Sequence, residues 1–192
     1  MPRIDATYFN TSEYQLQGKN HFEVQFKDNG RFTGNESGNT NNAAAGKTWS
    51  EEMTLLVKSF PLPKEQTEVN TLDHFNQQIK LAGKTTFQGG ELVIHDAIDK
   101  DVEILFRRWR NAVYNASQGT VGYASEYKID GIVTEYKPNG GGGRKWHLVG
   151  CWPSDVNYGD LDYETGGYKD ISATIVYDWA FREDSADAAN TQ

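Results

Sequence analysis

The stretch "WPSDVNYGDLDYE", residues 152–164, sets four carboxylates close together: Asp155, Asp160, Asp162 and Glu164. Oxygen-rich loops of this kind bind calcium, a hard cation that takes carboxylate and carbonyl ligands. The spacing does not follow the D-x-D-x-D-G order of a calcium loop, and Tyr158 and Tyr163 interrupt it. A solvated or subunit-facing loop is expected, with no essential metal. A sugar-binding surface and a structural corner are two further readings of the same stretch. "AAAGKT" (43–48) and "LAGKT" (81–85) end like a phosphate-binding loop. That loop needs a glycine five positions before its second glycine, where Asn41 and Gln78 stand. His21, His74, His95 and His147 are widely spaced, with no HExxH and no Cys/His cluster, which argues against zinc. No GxSxG elbow presents a nucleophilic serine. "NES" (35–37) and "NAS" (115–117) match the glycosylation pattern, which means little without a secretion signal. No catalytic residue, metal or cofactor is expected, and a binding or structural module fits better than an enzyme.

Composition narrows the field. The chain has 192 residues and a formal net charge of −8. Tight nucleic-acid binding comes mainly from Lys and Arg neutralising phosphates, so an acidic chain is a poor gripper of DNA. The single cysteine, Cys151, excludes an intrachain disulfide framework. It is read as a buried, inert thiol on the strand face opposite Trp146, Leu148, Gly150 and Trp152. No apolar run approaches the ~20 residues of a membrane helix. Met1–Lys19 has no apolar core of a signal peptide.

The elements that must position any site read as mostly β. Residues 1–19 look like an ordered arm or short helix at best. "HFEVQFKD" (21–28) alternates Phe22, Val24 and Phe26 with polar residues, a half-buried strand. Residues 28–50 read as a long surface loop. "MTLLVKSF" (53–60) reads as a strand ended by Pro61-Leu62-Pro63. "PLPKEQTEVN" (61–70) then reads as a loop. "FNQQIKLAG" (75–83) reads as a strand with a polar face of Asn76, Gln78 and Lys80, and "ELVIHD" (91–96) as another. Val102, Leu105, Phe106, Trp109 and Val113 fall at helical spacing. They predict one helix over about 99–118, capped by Asp96 or Asp99 and stopped at Gly119. "EYKIDGIVTEYKP" and "KWHLVGCW" flank "NGGGGR" as a hairpin. "KDISATIVYDWAF" closes the fold, with Ile171, Ala173, Ile175, Tyr177 and Trp179 on one face. One domain over 1–182 is expected, followed by a flexible acidic tail, 183–192.

Several stretches in order resemble the tail tube proteins of contractile-tailed bacteriophages. They are "FNQQIKLAGKTTF", "ELVIHD", "VEILFRRWRNAVYNASQG", "EYKIDGIVTEY", "WHLVGCWPSDVNYGDLDYE" with its Gly-x-Trp-Pro, and "ISATIVYDW". Coverage runs over roughly residues 75–180. The resemblance implies two packed antiparallel sheets forming a β-barrel or sandwich, flanked by the helix. It implies a structural corner at Gly150, Trp152 and Pro153, with Trp152 filling core volume and Pro153 ending the ladder. It also implies hexameric rings that stack into a hollow tube within a contractile sheath. The partners implied are the chain itself, a tail sheath protein, a tape-measure protein, and baseplate and tail terminator proteins. DNA would pass without specific binding, and the place is the virion tail, assembled in the host cytoplasm. Inner tubes of type VI secretion and other contractile injection machines, including a toxin- or effector-delivering tube, are related alternatives. A β-sandwich carbohydrate-binding module is another, and it would need its aromatics on an open platform. For a stacked tube, contacts between rings are expected around Phe60–Leu72, at Pro61, Leu62, Pro63, Lys64, Glu65, Thr67 and Glu68, together with the amino-terminal arm. The lumen is expected to be polar and neutral or negative, with Asn76, Gln78 and Lys80 as facing candidates.

Overall fold

The computed structural model describes residues 17–28, 32, 49, 53–97, 102–138, 143–163 and 166–183. Most of the arm, most of the 28–50 segment, the tip of "NGGGGR", Asp99, Glu164 and the acidic tail beyond Glu183 lie outside them. The elements in order are β1 (Phe22–Lys27), a 3-10 turn (Thr54–Leu56), β2 (Val57–Ser59), β3 (Lys64–His74), β4 (Gln77–Gln88) and β5 (Gly90–His95). Helix α1 (Val102–Val113) follows, then β6 (Tyr114–Asn115), β7 (Thr120–Val121) and a short helix α2 (Ala124–Tyr127). The chain continues as β8 (Ile129–Glu135), β9 (Arg144–Asn157), β10 (Asp170–Val176) and β11 (Trp179–Glu183).

The protein is mainly β, and among the described residues every strand pairing is antiparallel. Seven strands run β1-β8-β9-β10-β5-β2, with β11 also on β9. Two sheets share β9. Its first half pairs β8 on one edge and β11 on the other, while its second half pairs β10. The core lies against one face of this array. It holds Val24 and Phe26 of β1, Leu92 and Ile94 of β5, Val133 of β8, Leu148 of β9, and Ile171, Ala173 and Ile175 of β10.

Helix α1 covers that core with the five residues its spacing singled out, Val102, Leu105, Phe106, Trp109 and Val113. It ends at Val113, short of the predicted 118. Asn115 turns the chain, because its Oδ1 accepts from the backbone N–H and the hydroxyl of Ser117. This local competition with helical bonding is what Asn does well. Gly119 (φ 66°) then serves the β6–β7 turn instead of stopping the helix. Asp96 lies in the non-helical stretch after β5, separated from the helix by the equally non-helical Ala97, and binds Lys169 at 3.0 Å.

Several further expectations are corrected. Residues 54–56 form a 3-10 turn, so only Val57–Ser59 of "MTLLVKSF" is strand. "PLPKEQTEVN" is not a loop beyond Pro63, because Lys64–His74 is an eleven-residue strand. The 28–50 segment is not wholly surface, for Phe32 and Trp49 are buried in the core. Pro153 does not end the ladder, and β9 runs through it to Asn157. The bend sits three residues earlier, at Gly150 (φ 71°), where the strand passes from one sheet to the other. The inward phase slips there: Leu148 and Gly150 are buried before it, Cys151 and Pro153 after it. Cys151 therefore faces the core with Leu148, and burial pushes its thiol far up, which keeps it an unreactive thiol. Trp152 is only half-buried, packing on Tyr127 with ring centroids 5.7 Å apart. The neighbouring strand breaks at the same level. β10 stops at Val176, β11 starts at Trp179, and Asp178 N–H donates to the Val149 carbonyl. Tyr177 is buried as expected, but Trp179 emerges and Ala180 takes the inward place.

Candidate functional site: a projecting ribbon and the two ends of the sheet

β3 and β4 form a two-stranded ribbon outside the main array, eleven and twelve residues long. At ~3.3 Å per residue it reaches roughly 35 Å. Nearly every residue along it is exposed. Its register pairs Leu72 with Ile79, Asn70 with Leu81 and His74 with Gln77 on one face. The opposite face pairs Asp73 with Gln78, Thr71 with Lys80 and Val69 with Ala82. The outer half of the ribbon thus has an apolar face of Leu72, Ile79 and Leu81, and a mainly polar one. Phe75 stands at the turn, 93% exposed, with φ 53°. A bulky residue in that left-handed region is uncommon, where Asn or Gly would be unstrained.

The ribbon is rooted in glycine and proline. Pro61-Leu62-Pro63 leads into it, and Pro61 lies against the bare Cα of Gly90. A Cβ on Gly89 would meet the Ile175 carbonyl oxygen at 2.5 Å. Tyr177 hydroxyl donates to the Gln88 carbonyl at 2.7 Å, and its ring lies 6.4 Å from Phe87. The stacking candidates Pro61, Leu62 and Pro63 form this root. Lys64, Glu65, Thr67 and Glu68 form the first half of β3, where Thr67 and Thr85 hydroxyls bond across the ribbon at 2.9 Å. Asn76 sits in the tip turn, while Gln78 and Lys80 lie on the polar face. The structure brings the stacking and lumen candidates together on this one ribbon. Gly150, Trp152 and Pro153 lie apart, in β9.

β5 and β10 define two ends of the array. At one end Gly90 faces Ile175, beside the root of the ribbon. At the other, His95 faces Asp170. That second end carries an ionic cluster. Asp170 binds Lys58 Nζ at 2.6 Å and His95 Nδ1 at 2.6 Å, and Lys169 binds Asp96 and Glu103 at 3.0 and 3.1 Å. The Lys58 ammonium holds the Asp170 carboxyl below its usual range, partial burial opposes this, and His95 adds to the lowering. A carboxyl depressed on folding stabilises above its unfolded pKa and loses that contribution as pH falls through its folded value. Asp170→Asn is expected to cost up to about 1 kcal/mol at neutral pH, the scale of a partly exposed pair. The difference from the parent should vanish in acid, and denaturation midpoints at both pH values check it.

Next to this end, the β9–β10 connection exposes Leu161 (88%), Tyr163 (109%) and Tyr168 (93%). In sequence, Tyr163 stands out only as an interruption of the carboxylates, and Leu161 and Tyr168 form no apolar pattern. The sequence likewise does not mark Leu72 and Phe75 as exposed apolar groups. Among the described residues, no group of three or more His, Cys, Asp or Glu side chains is placed to hold a metal ion.

The face of β1, β8, β9 and β11 away from the core is mixed. Register aligns Gln25, Ile132, His147 and Phe181 in one row and Glu23, Thr134, Lys145 and Glu183 in the next. His147 stacks on Phe181 at 4.9 Å, and Trp179 on Phe181 at 5.1 Å.

This fold is shared with chains of solved contractile injection assemblies. The chain is similar to a chain of the sheath/tube terminator of an extracellular contractile injection system, PVC, in the extended state. The TM-score is 0.64 and identity 14%, over 91% of this chain and 100% of that one. It is also similar to chains of the anti-feeding prophage tube-terminating cap (TM-score 0.60, 13% identity, 88% and 91% covered) and of the PVC sheath-tube complex (0.59, 11%, 93% and 97%). At such identities what is shared is the fold. No protein-family model and no curated protein sequence matches the chain.

Proposed function

We propose that the chain is a structural subunit of a tube. Copies form hexameric rings, and the rings stack into a hollow conduit inside a contractile sheath. The observation that carries this is the ribbon, because a lone two-stranded hairpin is marginal in water and needs something to lie on. The end-to-end fold likeness to tube and terminator assemblies supports it. So does strand direction: β1, β8, β9 and β11 alternate, and β1 and β11, which have no further strand partner among the described residues, meet antiparallel when copies are related by rotation about an axis along the strands. Such closure removes edges that would otherwise template aggregation.

On this reading the sheath, the tape-measure protein, and the baseplate and terminator proteins are partners, and a phage genome passes without being gripped. The root and first half of the ribbon, Pro61–Glu68, serve stacking between rings. The face away from the core of β1, β8, β9 and β11 suits the lumen wall better than Asn76, Gln78 and Lys80, which sit on the ribbon. Its Lys145 and Lys27 stand against Glu183, Asp130 and Glu23, which leaves it slightly negative. The inner tube of an injection particle is the second reading, favoured because the likenesses above are to such particles.

The test is negative-stain microscopy with light scattering of the purified chain. Uniform rings or tubes are expected, and a strictly monomeric species at every concentration overturns the proposal. Particles recovered from the source cells and probed for this chain separate the two readings by whether a DNA-filled head is attached.

A further inference from the structure

The sheet face turned away from the core carries an aromatic stack. Trp179, Phe181 and His147 lie ring on ring across β11 and β9, with centroids 5.1 and 4.9 Å apart and planes 24° and 10° from parallel. Val149 pairs with Trp179 and Ile132 with His147, and both are half-buried, so the stack widens into an apolar stripe over three strands. Cross-strand stacking of Phe181 on His147 accounts for how the five-residue β11 is held on β9. It does not account for Trp179, which leaves a large apolar ring 45% exposed beside that stripe. We infer that the stripe is a docking site for a polypeptide: an amphipathic segment that lays its apolar face on Trp179, Val149 and Ile132 and carries lysine or arginine along its flanks.

Charge and ring geometry select the occupant. On the same face Glu23, Asp130 and Glu183 outnumber Lys27 and Lys145. Glu183 also stands at the end of the stack, its Oε2 3.3 Å from His147 Nε2. A surface of this sign attracts a basic partner and lacks the cations that hold phosphates. The rings spend their faces on one another, so the stack offers no broad open platform for a sugar or an unpaired base. An amphipathic helix needs none, since it takes an apolar stripe with charged rims. The inference rests on the tube reading for its place but not for its chemistry. Within a ring the stripe recurs once per subunit around the bore, a girdle that holds a protein filler and lets nucleic acid by.

The probe is a fluorescein-labelled helical peptide with leucine on one face and lysine on the other, titrated by anisotropy into the full-length chain. Trp179→Thr should weaken binding by at least about tenfold, and Trp179→Phe should restore most of it. Thermal melting checks that Trp179→Thr folds. Ile132→Thr, two strands away and outside the stack, should weaken binding too and keeps the test open if β11 loosens. Val121→Ser with Tyr123→Ser, at another exposed apolar site, should bind like the parent. A parent that ignores the peptide overturns the inference, as do folded Trp179→Thr and Ile132→Thr variants that bind like the parent. Oligolysine of equal charge binding as tightly as the amphipathic peptide overturns it as well, since charge alone then suffices. A labelled DNA duplex or a maltooligosaccharide that binds the parent and is lost in Trp179→Thr reassigns the stripe to another ligand class and overturns it. The titration reads single subunits and rings alike. Peptide binding without rings therefore overturns the tube reading and keeps the docking site, and rings without peptide binding do the reverse.

Discussion

Trp109→Ala is expected to cost about 3–5 kcal/mol of folding stability, the range for deleting a large aromatic from a packed core. Trp109 is wholly buried on α1 and stands where the helix, β1 and the 28–50 segment converge. Its ring meets Phe26 at 5.5 Å, Phe32 at 5.6 Å and Trp49 at 5.9 Å. Trp49 in turn meets Phe26 at 5.1 Å and Phe106 at 5.5 Å. Deleting one ring therefore opens a void that three other rings line and that none can fill without losing its own contacts. The indole N–H also donates to the Tyr127 carbonyl at 2.7 Å, so alanine leaves that acceptor without its donor. Melting temperature should fall by about 10 °C or more, at ~2–4 °C per kcal/mol for a chain of this size. Trp109→Phe should recover most of the packing but not the hydrogen bond. A loss below about 1 kcal/mol for alanine would show that the aromatic cluster closes around the gap.

Gly150→Ala should cost about 2–3 kcal/mol, for two separable reasons. At φ 71° a Cβ is strained by ~1 kcal/mol or more. That Cβ would also lie 2.5 Å from Asp178 Oδ2 and 3.1 Å from its Cγ. Asp178 is not free to swing away cheaply, since Lys128 Nζ holds both its carboxylate oxygens at 2.7 Å. Gly150 N–H further donates to Asp130 Oδ1 at 3.1 Å, which ties β8 to the bend. Two other glycines divide the effect. Gly119→Ala meets nothing within 4 Å but keeps a positive φ, so it should show strain alone. Gly167→Ala has open space and no left-handed φ, so it should change stability by less than about 0.5 kcal/mol. Chemical denaturation of the three variants should rank them Gly150, Gly119, Gly167. Equal losses at Gly150 and Gly119 would remove Asp178 from the account.

Legibility in the sequence followed burial. The α1 stripe was readable because one face meets core and the other meets water, the condition under which a 3.6-residue period appears. The β8–β9 pairing was readable for the same reason at period two. The bend at Gly150 was readable as a corner, but its position was not. Proline advertises itself, whereas a glycine at positive φ looks like any other glycine, so Trp152-Pro153 drew the attention. The phase slip at Asp178 was hidden because "ISATIVYDW" alternates without interruption in sequence while its backbone does not. The ribbon was half readable. "FNQQIKLAG" alternates, as β4 does, but alternation normally signals one buried face, and here both faces are exposed. Its partner β3 reads as loop because "KEQTEVNTLDH" has little to bury inside its own subunit. Phe32 and Trp49 were lost within a polar stretch, since two residues seventeen apart make no period at all.

The ribbon's bonds are almost all internal, from Lys64–Gln88 at the root to His74–Gln77 at the tip. Its length is therefore a quantity the rest of the molecule does not read. Inserting or deleting one cross-strand pair on each face, two residues per strand, changes its reach by about 7 Å and returns every side chain to its original face. A change of one residue per strand instead turns Leu72 and Ile79 to the polar side. Spacing along any assembly built on this ribbon can thus be retuned only in steps of two, and the subunit core carries no memory of which step was taken.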